Sequence, residues 1–190
     1  MRNLSYIVLA LFAVACGSKQ QQYTDTEDSL AQYRDTIIGR FNGVDIDTLI
    51  SEPVDTVGDR MFWRWRIGDT KGHLKPLILH SHFNAKMIYE GDLDGNGTDE
   101  FGIRREAEAG TWDGYMIYTY DNGEWKYLVE PIWTWSFHFY NELNMGQDVA
   151  ERADVKGKVR IRYSQFNDIA YIIDTLLPIE ISPVTFGVDD

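Results

Sequence analysis

Along most of this chain, apolar and polar residues change places at every second position. From Phe62 to Ile67, Trp63, Trp65 and Ile67 fall on one side of an extended backbone, with Arg64 and Arg66 on the other. Lys158 to Tyr163 sets Val159, Ile161 and Tyr163 on one side in the same way. Side chains of a strand point alternately to its two faces. This period therefore predicts strands with one buried and one wet face, as in antiparallel sheets. Further candidate strands are Leu77 to Phe83, Lys86 to Tyr89, Phe101 to Arg104, Tyr115 to Tyr120, Trp125 to Val129, Ile169 to Ile173 and Leu176 to Ile181. The run Trp133, Trp135, Phe137 and Phe139, interleaved with Thr134, Ser136 and His138, reads as one more. Asp121-Asn122-Gly123-Glu124 separates two of these runs, and an Asn-Gly pair in that place signals a tight hairpin. Only Leu30 to Ile38 suggests a helix, and its β-branched Thr36-Ile37-Ile38 suits a strand equally well. The expectation is a mainly β fold, an antiparallel meander arranged as a sandwich, an open barrel or a propeller-like sheet, with at most a short N-terminal helix. No repeat of solenoid or propeller period is visible.

Composition leaves that picture in place, and charge narrows the partners. The length suits one domain with a sizeable core, and the aromatic content argues for a folded chain. The net charge of -12 speaks against nucleic acid, whose phosphates need Lys and Arg. It also speaks against docking of the folded surface on anionic lipid. It suits a cation ligand, and it equally suits a surface kept soluble by repulsion.

The single cysteine, Cys16, follows an apolar run, Ile7 to Ala15, that is preceded by Arg2. The run is too short to span a bilayer and fits the apolar region of a secretory leader. Ala13 and Ala15 would also fit an ordinary secretory cleavage site. The segment Ala13-Val14-Ala15-Cys16-Gly17-Ser18 resembles the lipobox of bacterial lipoproteins, which usually carry Leu where Ala13 stands. The resemblance implies removal of a leader over residues 1–15 and acylation of Cys16, with more than one acyl chain as stable anchoring requires. Residues 16–29 are polar and read as a flexible tether, leaving residues 30–190 as one β-rich domain. Gly17 is not the Asp that favours inner-membrane retention in such lipoproteins. The implied location is the cell envelope, on the outer membrane facing the periplasm.

The segment that carries chemistry is Gly91-Asp92-Leu93-Asp94-Gly95-Asn96-Gly97-Thr98-Asp99-Glu100. Asp92, Asp94 and Asn96 hold positions one, three and five of a calcium loop. Gly97 permits the sharp turn at six, Thr98 offers its carbonyl at seven, and Glu100 stands at nine. An EF-hand also needs Glu at position twelve, where Ile103 stands here. With strand-like flanks, the loop resembles the strand-loop-strand calcium loop of FG-GAP repeats in integrin-type propellers and related bacterial repeats, which usually carry Asp at the Glu100 position. The resemblance covers the loop and its flanking strands and implies a structural Ca2+ that closes the loop and keeps those strands in register. The chain is too short for a full propeller, so integrin function does not carry over. The alternative is a metal-free turn rich in Asp, Asn and Gly.

Weaker signals each have a plainer explanation. His80 and His82 share one strand face and suggest a zinc or copper site, with His73 or His138 as a third ligand. Ordinary strand histidines explain them as well. Trp133 and Trp135 could stack a sugar or peptide, or form the core face of a strand. Tyr115, Tyr118 and Tyr120 straddle two faces, so at least one is expected outside. The pairs Glu106 and Glu108, Asp45 and Asp47, and Asp189 and Asp190 have no defined separation of the kind a glycosidase needs. Glycine-rich phosphate loops, GxSxG elbows and HExxH helices are absent from the sequence. The leading expectation is a membrane-tethered, calcium-stabilised, non-catalytic module that binds an envelope protein or glycan. A lipid-anchored glycan hydrolase and a purely structural envelope lipoprotein are the alternatives.

Overall fold

The computed structural model describes residues 32–57, 62–81, 86–106 and 111–185. The segments expected to be leader and tether, Cys16, His82, Glu108, Asp189 and Asp190 lie outside the described residues. Within them the fold is mainly β, with antiparallel sheets, one α-helix and no closed barrel.

The first sheet is a meander of β1 (Asp35–Gly39), β2 (Asp47–Val57), β3 (Phe62–Asp69) and β4 (Leu77–Ser81). β2 shifts register between Pro53 and Asp55, where proline has no N–H to give to the ladder. The second sheet contains β5 (Met87–Gly91), β6 (Glu100–Glu106), β7 (Trp112–Asp121), β8 (Glu124–Tyr127), β9 (Ile132–Trp135) and a short β13 (Ser182–Pro183). β8 pairs the later half of β7 and β9 the earlier half, so the two share one side of that strand. The β7–β8 hairpin turns through Asn122 and Gly123, both at positive φ, the conformation that suits the right-handed twist of the flanking strands. The third sheet is β10 (Ala150–Arg152), β11 (Lys158–Asn167) and β12 (Ile169–Pro178).

Side-chain parity stacks these sheets in three layers. Phe101, Ile103, Met116, Tyr118 and Tyr127 leave one face of the second sheet and pack with Trp65, Ile67 and Leu79 of the first. Tyr115 and Ile117 leave the other face and pack with Val159, Ile161 and Phe139. β7 is thus buried on both faces. The expectation of one wet face fails there, and with it the expectation of an outside tyrosine: Tyr115 and Tyr118 are both core residues, and Tyr120 is half-buried. Each such side chain, fully buried, contributes about 1.5–3 kcal/mol of transfer free energy.

One further expectation needs correction. The aromatic run from Trp133 to Phe139 is not one strand. Trp135 pairs with Trp112, the first residue of β7. One more bond, from the Ser136 N–H to the Thr111 carbonyl, ends the ladder. The chain then coils into α1 (Ser136–Asn141). Helical spacing sends Phe139 inward at 0% exposure and leaves Phe137 outside at 52%. Of the two readings of Leu30 to Ile38, the strand holds where the chain is described, because residues 35–39 form β1 against β2. The candidate strands Ile169 to Ile173 and Leu176 to Ile181 join as β12, which runs unbroken to Pro178.

Candidate functional site

β5 and β6 pair as Tyr89 with Phe101 and then Gly91 with Glu100, leaving Glu90 as an extra residue. Gly91 at φ 72 supplies the left-handed conformation such a bulge needs. The loop 92–99 then returns the chain to β6. Asp92 accepts hydrogen bonds from the N–H of Gly95 at 2.7 Å and of Gly97 at 3.2 Å. Asp94 accepts from the Asn96 N–H at 2.9 Å, and Asn96 Oδ1 from the Thr98 N–H at 2.6 Å. The short polar side chains thus satisfy the loop's own backbone. Asp99 faces away, accepting from the Arg40 N–H at 2.6 Å and from the Tyr89 hydroxyl at 3.0 Å. It fastens the loop to the residues that follow β1.

Glu100 opens β6 with its side chain inside the molecule, at 0% exposure. Its two oxygens accept from the Leu93 N–H at 2.7 Å and the Thr119 hydroxyl at 2.8 Å. One carboxylate oxygen each of Asp92, Asp94 and Glu100 lies within 4.8 Å of the other two. Oxygens bound to one calcium at about 2.3–2.6 Å are separated by at most about 5 Å, so this group could hold a metal ion. Burial, and then the charges of Asp94 and Asp92, push Glu100 up to about 8 against the pull of its two hydrogen bonds. Burial and the Asp92 charge raise Asp94 as well. Carboxylates crowded this closely ionise together only at a cost that a cation removes.

No protein-family model, curated protein or solved structure matches this chain. The chemistry of the loop therefore rests on its own residues. Of the five loop residues with ligand positions, Asp92, Asp94 and Glu100 come together. Asn96 is exposed, with its amide nitrogen 2.9 Å from Asp94 Oδ2. Thr98 is buried beside it.

A second group, Asp47, Asp69 and His73, also brings ligand atoms within 4.8 Å and could hold a metal ion. Its carboxylates already cap the β3–β4 turn. Asp69 accepts from the N–H of His73 and of Leu74, and Asp47 from the Thr48 N–H and the Thr70 hydroxyl. Lys71 stands 4.0 Å from Asp47. Burial pushes Asp47 up, but Thr70, Thr48 and the Lys71 charge outweigh it and hold the acid below its ordinary value. Sequence reasoning missed this group because its members come from both ends of a hairpin. It set Asp45 and Asp47 aside as coincidence.

The pairing of His80 with His82 involves a residue outside the described ones. His73 sits with Asp69, whereas His138 Nδ1 lies 2.8 Å from Ser164 Oγ, inside the third layer. Of the aromatic candidates, Trp133 is 41% exposed and Trp135 is half-buried, its ring against Phe137 and His138. Phe137 and Tyr140, one helical turn apart on α1, are exposed as well. Helical spacing would have revealed Phe137 and Tyr140, had the helix been recognised.

Proposed function

We propose that this chain is an envelope lipoprotein, tethered through acylated Cys16 to the outer membrane on its periplasmic side. Its calcium-stabilised domain binds a protein or glycan without catalysis. The observation that carries the reading is the convergence of Asp92, Asp94 and the buried Glu100 at the mouth of one hairpin. Their residue types are hard oxygen donors, which favour calcium over zinc or copper. A bound Ca2+ supplies two positive charges among three carboxylates. Asp92 and Asp94 hold the loop in its turn, and Glu100 ties the same centre to Thr119 of β7, so the hairpin register depends on all three. The exposed rings of Trp133, Phe137 and Tyr140 support a binding role, since exposed aromatic faces suit apolar faces of sugars and peptides.

The test uses the full chain, processed in a lipoprotein-exporting host, with the mass of its N-terminus read for acyl groups on Cys16. The same material is unfolded thermally in about 5 mM calcium and in chelator. A site with a dissociation constant of about 10⁻⁴ M stabilises by about 2 kcal/mol under those conditions. That raises the midpoint by roughly 4–8 °C for a domain of this size. An unchanged midpoint removes the metal, and an unmodified N-terminus removes the anchor.

A further inference from the structure

A cleft of about 250 Å3 opens beside the metal loop. Leu93, Asp94 and Gly95 form one wall, and the turn from Arg152 to Lys158, joining β10 to β11, forms the other. The lining carries three cations, Arg152, Lys156 and Lys158, and two carboxylates, Asp94 and Asp154. Positive charge is scarce in a chain of net charge -12, and much of it is paired. Lys75, Arg104, Lys126 and Arg162 each lie within 3.2 Å of a carboxylate. Among the described residues, Lys156 and Lys158 form no ion pair. Their turn is held by the Lys158 N–H on the Val155 carbonyl at 3.1 Å and by the Ile179 N–H on the Gly157 carbonyl at 3.0 Å. The two ammonium groups are therefore presented from a braced turn.

Arg152 connects the cleft to the loop. Its guanidinium lies 3.4 Å from Asp92 Oδ2. It fits there because Gly95 has no side chain: a Cβ on Gly95 would stand 2.6 Å from Arg152 Nη2. Asp92 is also one of the three converging carboxylates, so a divalent ion in the loop competes with Arg152 for the same charge.

We propose that this cleft binds an oxyanion, the carboxylate or phosphate of a ligand, on Arg152, Lys156 and Lys158, and that metal in the loop strengthens binding by freeing Arg152 from Asp92. The site rests on the calcium reading of the loop only for its metal dependence. Coupling of this kind is reciprocal, so the anion also tightens the metal.

Calorimetric titration of the full chain in neutral detergent tests this, with glucuronate as the carboxylate probe and glycerol 2-phosphate as the phosphate probe. Each is run in calcium and in metal-stripped buffer. At least one probe binds, about fivefold or more tightly in calcium, and the stronger one identifies the group the cleft prefers. Lys156→Ala with Lys158→Ala weakens that binding by about tenfold or more while leaving the calcium affinity of the loop in place. Both lysines are exposed, so the variant folds. Failure of both probes to bind in calcium, or binding that survives the double substitution, overturns the cleft. Equal affinity with and without calcium overturns the release of Arg152. A chain that titrates calcium but neither probe keeps the loop and loses the cleft. A chain that binds a probe through the lysines but takes no calcium keeps the cleft and loses the metal.

Discussion

A Cβ built on Gly102 would lie 1.9 Å from the Tyr115 hydroxyl and 2.2 Å from its ring carbon Cζ. The tyrosine crosses the strand in the space that glycine leaves, and its hydroxyl donates to Glu90 Oε1. Gly102→Ala forces ring and backbone apart and is expected to destabilise the fold by about 3 kcal/mol. Denaturant titration checks this, and a cost below about 1 kcal/mol would show that Tyr115 has room to move. Glu90 itself gives a pH signature. Burial pushes its carboxyl up to about 8 against the pull of Tyr115, from an ordinary value of 4.5. The folded chain therefore holds a proton that the unfolded chain has released across that window. The group's contribution is complete below its unfolded value and is lost as pH rises through about 8. Glu90→Gln is expected to raise the unfolding midpoint relative to the parent chain near pH 8.5 and to leave it nearly unchanged near pH 4. Equal gains at both values would mean that the charge of Glu90 is not the cause. Sequence made the donors at Asp92, Asp94 and Glu100 legible, because their spacing is local. It was silent on Glu90 and Tyr115, which meet only through a bulge and a cross-strand register.

At the scale of elements, α1 depends on one side chain of another strand. Ser164 Oγ, on β11, accepts from the Trp135 N–H at 2.9 Å and pairs with His138 Nδ1 at 2.8 Å. Both Ser164 and His138 are buried. Ser164→Ala removes the partner of an N–H and of a ring nitrogen together, so a loss of about 2–3 kcal/mol is expected. Denaturant titration that finds no loss would place water in the role of the hydroxyl. β9 before it and β11 behind it were legible from period two, whereas the three-residue β10 that follows it was not. The helix was not, because its six residues, Ser136 to Asn141, continue an alternating aromatic pattern. What ends the strand is the end of its partner β7, a tertiary fact with no local mark.

At the scale of the whole molecule, the antiparallel β class follows from the repeated short runs and their turns. The layering does not. Which strands lie in the middle is decided by contacts between sheets, yet one trace of it was present. Tyr115-Met116-Ile117-Tyr118 is an uninterrupted apolar run, which reads as a strand covered on both sides rather than an alternating one. That strand has hydrogen-bonded neighbours along both edges as well, β6 on one and β8 with β9 on the other. Whichever outer layer lifts first, the strand between them keeps its second cover. In heavy water its amides, from 113 to 119, should be the last in the chain to take up deuterium. Peptide mass spectrometry that found β11 slower would place the most durable part of the fold in an outer layer instead.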